Sequence, residues 1–497
     1  MIDSWLEFQK LHAQFALGHL DTETPNPMTK GLGELCNSDP VAAWNMIAAV
    51  DHKLLSDLKK YKDEVTKLGL DVERTLASGG RIFLSGCGAT GRLSLSLEAL
   101  WRFKHGDDRV ISFMAGGDSA LIRAIEKFED YPELGSRQLK ELGFTKNDLL
   151  IASTEGGETP FVIGSAIEAA NIGGKSWLTF CNPSSQLTHL KRCDEILNDS
   201  RVQKISLKLG PQALSGSTRM QASSALMLVA GLSLFYGSKA GDMLQTYCDQ
   251  LTSDLKSLDL NHWANLSIKE ASIIQSGECV SYVSPKEYAI CILTDTTERG
   301  PTFSMTPFEH KDESGDKPSL NYMVVDGALN AGDAFVKVLG HVPRTLNWPE
   351  LDGRADDERL NGFELTKHRL QNRLIQSTLA VISYGNNGLS LEIDGDIAGI
   401  SCARDDLFYR HLLLKMVLNT HSTILMGRLG RFESNVMTWV RPSNLKLIDR
   451  SLRYAGLLLS EKAIKVDQNS LGLKLFELLP NNKLDEPIVK KLVDSFS

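Results

Sequence analysis

Two glycine-containing loops, each following a short apolar strand, hold the residues that could bind an anion. The first loop, Gly86–Gly91, follows the predicted strand Arg81–Ser85 and precedes an apolar helix. Glycine lets the backbone turn tightly, so that its N–H groups can approach a ligand, and the N-terminus of the next helix adds a partial positive charge. The spacing G-x-G-x-x-G is weak evidence alone, because dinucleotide-binding enzymes use it as well.

The second loop, residues 154–159, contains both hydroxyl side chains and glycines. Thr154 and Thr159, together with Ser153, could donate hydrogen bonds to phosphate oxygens, while Gly156 and the glycine after it expose backbone N–H groups. The less favoured alternative is that Thr159 caps the helix that begins at the next residue, since a capping hydroxyl and a phosphate donor look alike in sequence.

The elements around these loops alternate between strands and helices. Strands are predicted over 81–85, 110–114, 148–153 and 176–181, and helices over 91–103, 119–128 and 160–171. This alternation predicts a parallel sheet with helices on both faces. Ligands of such sheets bind beyond the carboxyl ends of the strands, which is where both loops lie.

A second and weaker α/β unit follows the first. Its strands are predicted over 279–283, 289–293, 320–325 and 379–383. Each unit ends in a long apolar helix, at 218–237 and at 411–427, which indicates an internal duplication. The loop 284–287 lacks glycines, so we expect the second copy to have lost its anion site. The predicted organisation is a helical N-terminal segment (1–60), a first unit (61–250), a degenerate second unit (251–435) and a helical C-terminal cap (436–497).

Composition excludes several classes of protein. The 497 residues are 42% hydrophobic and 23% charged, with a net charge of −8, and no basic cluster indicates a nucleic-acid partner. No apolar run is long enough to span a bilayer, and no signal pattern precedes the first helices, so we expect a cytoplasmic protein without a membrane partner. The eight cysteines lack C-x-x-C spacing and the eleven histidines lack metal-ligand spacing, so we expect neither a metal nor another cofactor.

Several motifs, taken in chain order, resemble one known family. They are Thr22–Pro27, Gly86–Gly91, Met114–Gly117, Glu129–Asp130, 154–159, Cys181–Pro183 and Ser215–Met220. The 154–159 loop is similar to the S-x-S-G-x-T loop of sugar isomerase (SIS) domains, with Gly156 replacing one serine. The whole set resembles the family of N-acetylmuramic acid 6-phosphate etherase and glucokinase regulatory protein. The length of the chain resembles the regulatory protein, which has two SIS domains and a helical lid.

The resemblance implies a fold and a binding site. The fold would be α/β, with two SIS-type sandwiches on parallel sheets (Rossmann-like, with flavodoxin-like topology), a helical N-terminal segment and a C-terminal helical cap. A phosphorylated hexose or amino sugar would bind between the two units. The phosphate-binding set would be Gly88, Thr90, Ser153, Thr154, Gly156 and Thr159. The sugar would meet Glu129, Ser217 and Thr218, and the second unit would close the pocket with Glu298 and Lys415.

Each of these sugar-facing residues also has an ordinary structural interpretation. Glu129 would be the catalytic base of an etherase, or else a solvated charge near a helix end. Ser217 and Thr218 could simply cap the long helix that follows them. Lys415 lies in the apolar run Leu412–Leu418, where a buried amine is costly without an anion, unless its stem snorkels to solvent.

One departure from the family pattern bears on catalysis. An etherase needs a base for a proton next to a carbonyl-type carbon and an acid for the departing lactate oxygen. The family acid lies eight residues after the loop arginine, where this chain has Leu100. Glu98 lies six residues after Arg92, and two helical positions rotate a side chain by roughly 200°, so it is expected to face away.

The leading prediction is therefore a phosphosugar-binding regulator or sensor whose protein partner is a sugar kinase, as glucokinase is for the mammalian relative. The main alternative is a carbon–oxygen lyase resembling the etherase, with Glu129 as base, and a sugar-phosphate isomerase is a further one. A nicotinamide-dependent enzyme would need an acidic residue at the end of the second strand. Asp118 lies beyond the end of the predicted strand 110–114, which disfavours this class of enzyme.

Overall fold

A five-stranded parallel sheet places both glycine loops at its carboxyl edge. In the computed structural model, the described residues are 4–125, 128–312, 318–373, 375–386, 388–442, 444–483 and 486–497. The strands of this first sheet are β1 (Ile82–Gly86), β2 (Val110–Met114), β3 (Leu149–Ser153), β4 (Lys175–Phe180) and β5 (Val202–Ser206). Their order is β2-β1-β3-β4-β5, all parallel, which is the flavodoxin order. The four predicted strands are confirmed, and β5 was missed.

The helices of the first half surround this sheet. They are α1 (Trp5–Leu11), α2 (Leu32–Ser38), α3 (Pro40–Leu58), α4 (Lys62–Ala77), α5 (Ala89–His105), α6 (Pro132–Glu141), α7 (Pro160–Ile172), α8 (Lys191–Asn198), α9 (Gln221–Tyr236) and α10 (Ala240–Lys256). Successive strand residues point to opposite faces. Phe83 accordingly packs in one core with Phe161 of α7, whereas Leu84 packs in the other with Leu97 of α5 and Leu226 of α9.

The second sheet is mixed. Its strands are β6 (Cys279–Ser284), β7 (Asn321–Val325), β8 (Ser377–Gly385), β9 (Gly388–Ile393) and β10 (Asp396–Ile400), in the order β10-β9-β8-β6-β7. Strands β6, β7 and β8 run parallel, while β8, β9 and β10 form an antiparallel meander. Asp394 and Gly395 connect β9 to β10 with φ of 49° and 80°, as a tight two-residue hairpin turn requires.

The remaining elements complete the second half and the cap. They are α11 (Leu260–Gln275), α12 (Lys286–Phe303), α13 (Ala331–Leu339), α14 (Asp357–Asn361), α15 (Lys367–Gln371), α16 (Leu407–Arg428), the short pair β11 (Phe432–Glu433) and β12 (Val436–Met437), α17 (Leu445–Glu461), α18 (Gln468–Leu478) and α19 (Ile488–Asp494). The predicted long helix at 411–427 is confirmed as α16, which is buried along most of its length and contacts α9, α11 and α12.

Two predicted elements are wrong. The strand expected over 289–293 lies inside α12, because a short apolar run does not distinguish a strand from a helix buried on most sides. The helix expected over 119–128 is replaced by the 3₁₀ turns Asp118–Leu121 and Phe128–Asp130, and residues 126 and 127 of that prediction lie outside the described residues.

The segment 340–356, here called the strap, runs from the second half onto the first sheet. The Asp118 backbone N–H donates to the Arg344 carbonyl oxygen over 3.1 Å. Trp348 stacks on Phe128 with ring centroids 5.6 Å apart. The strap therefore connects the second half of the chain to the first sheet beside the end of β2.

Two further observations concern the described part of the chain. None of its helices combines the length and the apolar character that crossing a bilayer requires. Among the same residues, no group of three or more histidine, cysteine, aspartate or glutamate side chains is arranged to hold a metal ion.

Candidate functional site

The first loop leaves the start of α5 open. Gly88 precedes α5 with φ of 51°, and a Cβ atom added to it would meet no described atom within 4 Å. The Thr90 hydroxyl is engaged within the loop, because its Oγ1 lies 3.0 Å from the Cys87 N and 2.9 Å from the Cys87 O. Backbone N–H groups rather than the Thr90 hydroxyl are therefore the donors that this loop presents to a ligand.

The second loop pairs two of the predicted hydroxyls. The Thr154 and Thr159 Oγ1 atoms are 2.9 Å apart, and the Gly157 N–H donates to Thr154 over 3.3 Å. The Thr159 side chain makes no capping hydrogen bond to α7, so the capping interpretation is not the one observed. Ser153 instead pairs with Thr179 of β4, 3.0 Å away inside the sheet, so its hydroxyl does not join the pair.

Glu158 lies against the glycines of this loop. Its carboxylate occupies the space over Gly156, where an added Cβ atom would overlap with it. Lys446 of α17 donates to Glu158 Oε1 over 2.6 Å. Burial raises the pKa of Glu158, but the Lys446 charge and hydrogen bond outweigh it, so that the pKa is lowered and the carboxylate is ionised.

Glu155, the second residue of this loop, differs from Glu158 in its protonation. It is 9% exposed, and its Oε1 is buried without a hydrogen-bond partner among the described residues. Burial raises the pKa of Glu155 to about 8; the backbone N–H of Glu155 and the charge of Lys446 oppose this shift, whereas Glu298 and Glu158 add to it. At neutral pH this carboxyl is therefore predominantly protonated.

Glu129 faces the cap. The Asn444 Nδ2 donates to Glu129 Oε1 over 3.0 Å. A groove at this point is lined by Phe15, Leu17, Glu129, Glu158, Thr159 and Lys446. Burial and then the charges of Glu129 and Glu155 raise the pKa of the Cys87 thiol, so both carboxyl groups lie near the first loop as well as the second.

The second half contributes the two predicted residues to a cavity that meets the first loop. This cavity is lined by Ala89, Ser96, Ser223, Glu298, His411 and Lys415. Lys415 Nζ donates to the Arg219 carbonyl and the Ser224 hydroxyl, each over 2.9 Å. Burial lowers the pKa of Lys415 to about 8 against the opposing charge of Glu298. The start of α5, Glu298 and Lys415 therefore share one crevice between the halves, and Lys415 does not snorkel to solvent.

The turn before α9 carries Ser217 and Thr218. No side-chain hydrogen bond caps α9, so these residues are not its cap. The Ser217 hydroxyl is buried without a hydrogen-bond partner in the described structure, while Thr218 is half-buried. Arg219 extends from this turn into the second half, where it contacts Asp295 over 3.2 Å and Thr423 over 2.8 Å.

Glu98 points away from the crevice, as the helical rotation predicts. Its carboxylate is fully buried and accepts hydrogen bonds from Ser112, from Arg102 and from Arg344 of the strap. Leu100 is buried in the core of the first half. Asp118 accepts a hydrogen bond from the Arg344 N–H over 2.7 Å, so the acid that a nucleotide-binding enzyme would need is already engaged.

Sequence reasoning missed three charged residues in and around the second loop, namely Glu155, Glu158 and Lys446. Glu155 and Glu158 lie inside the recognised loop, so their residue type was the available signal. Lys446 lies in the cap, nearly 290 positions after Glu158, and no local pattern marks it.

The chain is similar in sequence to known proteins. The sequence model of the glucokinase regulatory protein N-terminal SIS domain matches residues 65–170. The chain is 31% identical over 218 residues to the N-acetylmuramic acid 6-phosphate etherase of Bacillus pumilus and 33% identical over 219 residues to that of Serratia proteamaculans. Each alignment covers 44% of this chain and 68% or 69% of the relative.

The fold and the matched domain define a protein of the SIS class. The identities to the two bacterial proteins go further: the chain belongs to the same family as the N-acetylmuramic acid 6-phosphate etherases. A crystal structure of tagatose-6-phosphate ketose/aldose isomerase from Escherichia coli aligns with a TM-score of 0.45 at 11% identity, covering 84% of this chain and 99% of that one.

Proposed function

We propose that the chain binds a sugar phosphate in the crevice between its halves and cleaves its lactyl ether; its relatives are named as etherases of N-acetylmuramic acid 6-phosphate. One observation carries the binding proposal. Neighbouring strands β1 and β3 end side by side, so the loops that follow them, with the open start of α5 and the Thr154–Thr159 hydroxyl pair, lie next to each other at the same edge of the sheet. Backbone N–H groups and hydroxyls at a helix start suit a phosphoryl group.

The cations around the crevice complement the charge of such a ligand. Lys415 approaches from α16 and Lys446 from the cap, and both are held close to carboxylates in this structure. A phosphoryl group that displaces Glu158 from Lys446 would gain a charge-assisted hydrogen bond. The glycine backbone under Glu158 would then become available to the ligand.

Glu129 is the base of the proposed reaction. It lines the groove, half-buried, and one of its carboxylate oxygens accepts a hydrogen bond from Asn444. The base would remove the proton from the carbon next to the aldehyde of the ring-opened sugar. Elimination then expels the lactyl oxygen from the neighbouring carbon.

The test is the release of D-lactate from N-acetylmuramic acid 6-phosphate by the full chain. We expect the wild-type protein to release lactate and Glu129→Gln to lose activity by at least about a hundredfold. Glu133→Gln, an exposed change on α6, serves as the matched control and should behave like wild type. Full activity of the Glu129 variant would refute the assignment of the base.

The second candidate is the regulatory one, and Leu100 favours it, because a site without the family acid could bind its ligand and turn it over poorly. In that case a hexose phosphate or amino sugar phosphate would shift the protein between conformations that differ in affinity for a protein partner such as a sugar kinase. Stabilisation by a phosphosugar without lactate release would support it. A sugar-phosphate isomerase remains a third proposal, tested by aldose–ketose interconversion.

A further inference from the structure

The cavity between the halves contains polar groups that the fold itself does not use. It is lined by α5 and α9 of the first half and by α12 and α16 of the second. Two polar atoms of its lining residues, Thr294 Oγ1 on α12 and His411 Nδ1 on α16, are buried without a hydrogen-bond partner among the described residues. Such groups are rare in folded proteins, because an unpaired buried donor or acceptor costs free energy. A ligand that pairs with them would recover that cost.

The cavity also holds an amine and a carboxyl group. Lys415 and Glu298 both line it, and Lys415 uses two of its three N–H groups on the Arg219 carbonyl and the Ser224 hydroxyl. Burial, and then the charge of Lys415, lower the pKa of His411 to about 3, so its imidazole is neutral and offers one donor and one acceptor. An anion would meet the Glu298 carboxyl and a cation would meet the Lys415 amine, so this lining suits an uncharged polar group.

The remaining wall of the cavity is apolar. Leu93 of α5, Met227 of α9 and Cys291 of α12 form it, and all three side chains are buried. A matching group therefore needs a small apolar part beside a hydrogen-bond donor and an acceptor. A hydroxyl lacks the apolar part, and an alkyl group would leave Thr294 and His411 unpaired. An acetamido group supplies a methyl, an N–H and a carbonyl together.

The position of the cavity relates it to the proposed phosphate site. Ala89, the first residue of α5, lines the cavity together with Leu93 and Ser96. These three residues share one face of α5 and span about 10 Å along its axis, which is close to the length of a hexose phosphate. A sugar whose phosphoryl group is bound at the open start of α5 would therefore lie along this face.

We propose that this cavity receives the acetamido group of a 2-acetamido sugar phosphate, and that Thr294 and His411 select it; this inference rests on the proposed function. The Thr294 hydroxyl donates to the amide carbonyl, the His411 ring accepts from the amide N–H, and the methyl group packs against the apolar wall. Carbon 2 of the sugar carries both the acetamido group and the proton that Glu129 would remove. That carbon would therefore lie between this cavity and the groove that Glu129 lines.

Calorimetric titration of the full chain with N-acetylglucosamine 6-phosphate and with glucose 6-phosphate tests the selection. The two ligands differ only at carbon 2, and neither contains a lactyl ether. We expect wild type to bind the acetamido sugar at least about tenfold more tightly. Thr294→Val and His411→Phe should each reduce that preference by about fivefold, through the affinity for the acetamido sugar alone. Thr296→Val, on the same helix but with its hydroxyl bonded to the Ile292 carbonyl, is the matched control and should keep the full preference.

Urea denaturation of the variants distinguishes ligand selection from a structural role. Because Thr294 Oγ1 and His411 Nδ1 have no partner in the described structure, replacing these side chains by apolar ones of similar shape should not lower the midpoint of unfolding. Equal weakening of both ligands, or a preference that neither variant changes, would overturn the inference. A lower midpoint together with loss of both ligands would mean a structural role and would also overturn it. If His411→Phe alone is destabilised, Thr294→Val decides.

The failure of the inference differs from the failure of the proposed function. If wild type binds both sugar phosphates with similar affinity, the phosphate site stands and only the acetamido selection is overturned. If wild type binds neither, the sugar phosphate-binding function falls, and the selection falls with it. Absence of lactate release from N-acetylmuramic acid 6-phosphate would overturn the lyase function without changing either binding result.

Discussion

Replacing Arg344 of the strap by methionine should destabilise the protein in a pH-dependent way. Arg344 donates to both carboxylate oxygens of the fully buried Glu98, over 2.8 and 2.6 Å. Burial raises the pKa of Glu98, but the hydrogen bonds and charge of Arg344 outweigh burial and lower the pKa from 4.5 to about 2. That difference corresponds to about 3 kcal/mol of stability at neutral pH, of which Arg344 supplies the largest part.

The sign of the pH dependence follows from the direction of the shift. Because the pKa is lower in the folded protein, the stabilisation is complete above about pH 5 and is lost as the pH falls from 4.5 towards 2. We expect Arg344→Met to lower the free energy of unfolding by about 2–3 kcal/mol at pH 7 and by less than half of that at pH 3.

Urea denaturation followed by circular dichroism measures this loss. Arg354→Met, an exposed residue of the same strap that donates to the Leu351 carbonyl, is the matched control and should change stability by under about 0.5 kcal/mol. Adding Glu98→Gln to Arg344→Met should restore part of the loss, because it removes a buried charge that has kept Arg102 but lost Arg344. An equal loss at both pH values, or no recovery in the double variant, would refute the electrostatic explanation.

Two further predictions concern the crevice. Thr159→Val should weaken the binding of a phosphosugar by about tenfold or more, since a hydrogen bond to a charged group contributes about 1.5–3 kcal/mol. Thr159→Ser keeps the hydroxyl and should retain the affinity. Calorimetric titration measures both variants, and equal affinities would contradict the assignment of Thr159 as a phosphate donor. Lys415→Met should weaken phosphosugar binding at pH 7. Burial lowers the pKa of Lys415 to about 8, so the wild-type amine loses its charge above pH 8 and the affinities of the two proteins should become more similar there. A difference that stays constant from pH 7 to pH 10 would show that Lys415 does not act through its charge.

The first sheet was predictable because its signals are local. Each strand of 81–85, 110–114 and 148–153 is a short apolar run followed by a glycine or hydroxyl turn, and α7 begins with Pro160 directly after Thr159. Such patterns fix the element type within a few residues. The antiparallel hairpin of the second sheet also had a local signal, Asp394–Gly395, and was missed although this dipeptide favours a two-residue turn.

Other features needed contacts between distant parts of the chain. The apolar run at 289–293 is compatible with a strand when the sequence is considered alone. In the fold it lies within α12, and α5, α13 and α16 pack around that helix. The helical rotation predicted that Glu98 faces away from the site. The sequence did not indicate its partner, Arg344, which lies 246 residues later in the strap.

The sequence by itself determined the two strand-end loops, the hydroxyl and glycine residues within them, and the family they belong to, because these depend on residues close together in the chain. Tertiary structure alone decided the charge states in the crevice. Glu155 and Glu158 are the same residue type three positions apart, but the cap brings Lys446 into direct contact with Glu158 only. One carboxyl group is therefore ionised and the other keeps its proton, since burial without a bonded cation favours the neutral acid.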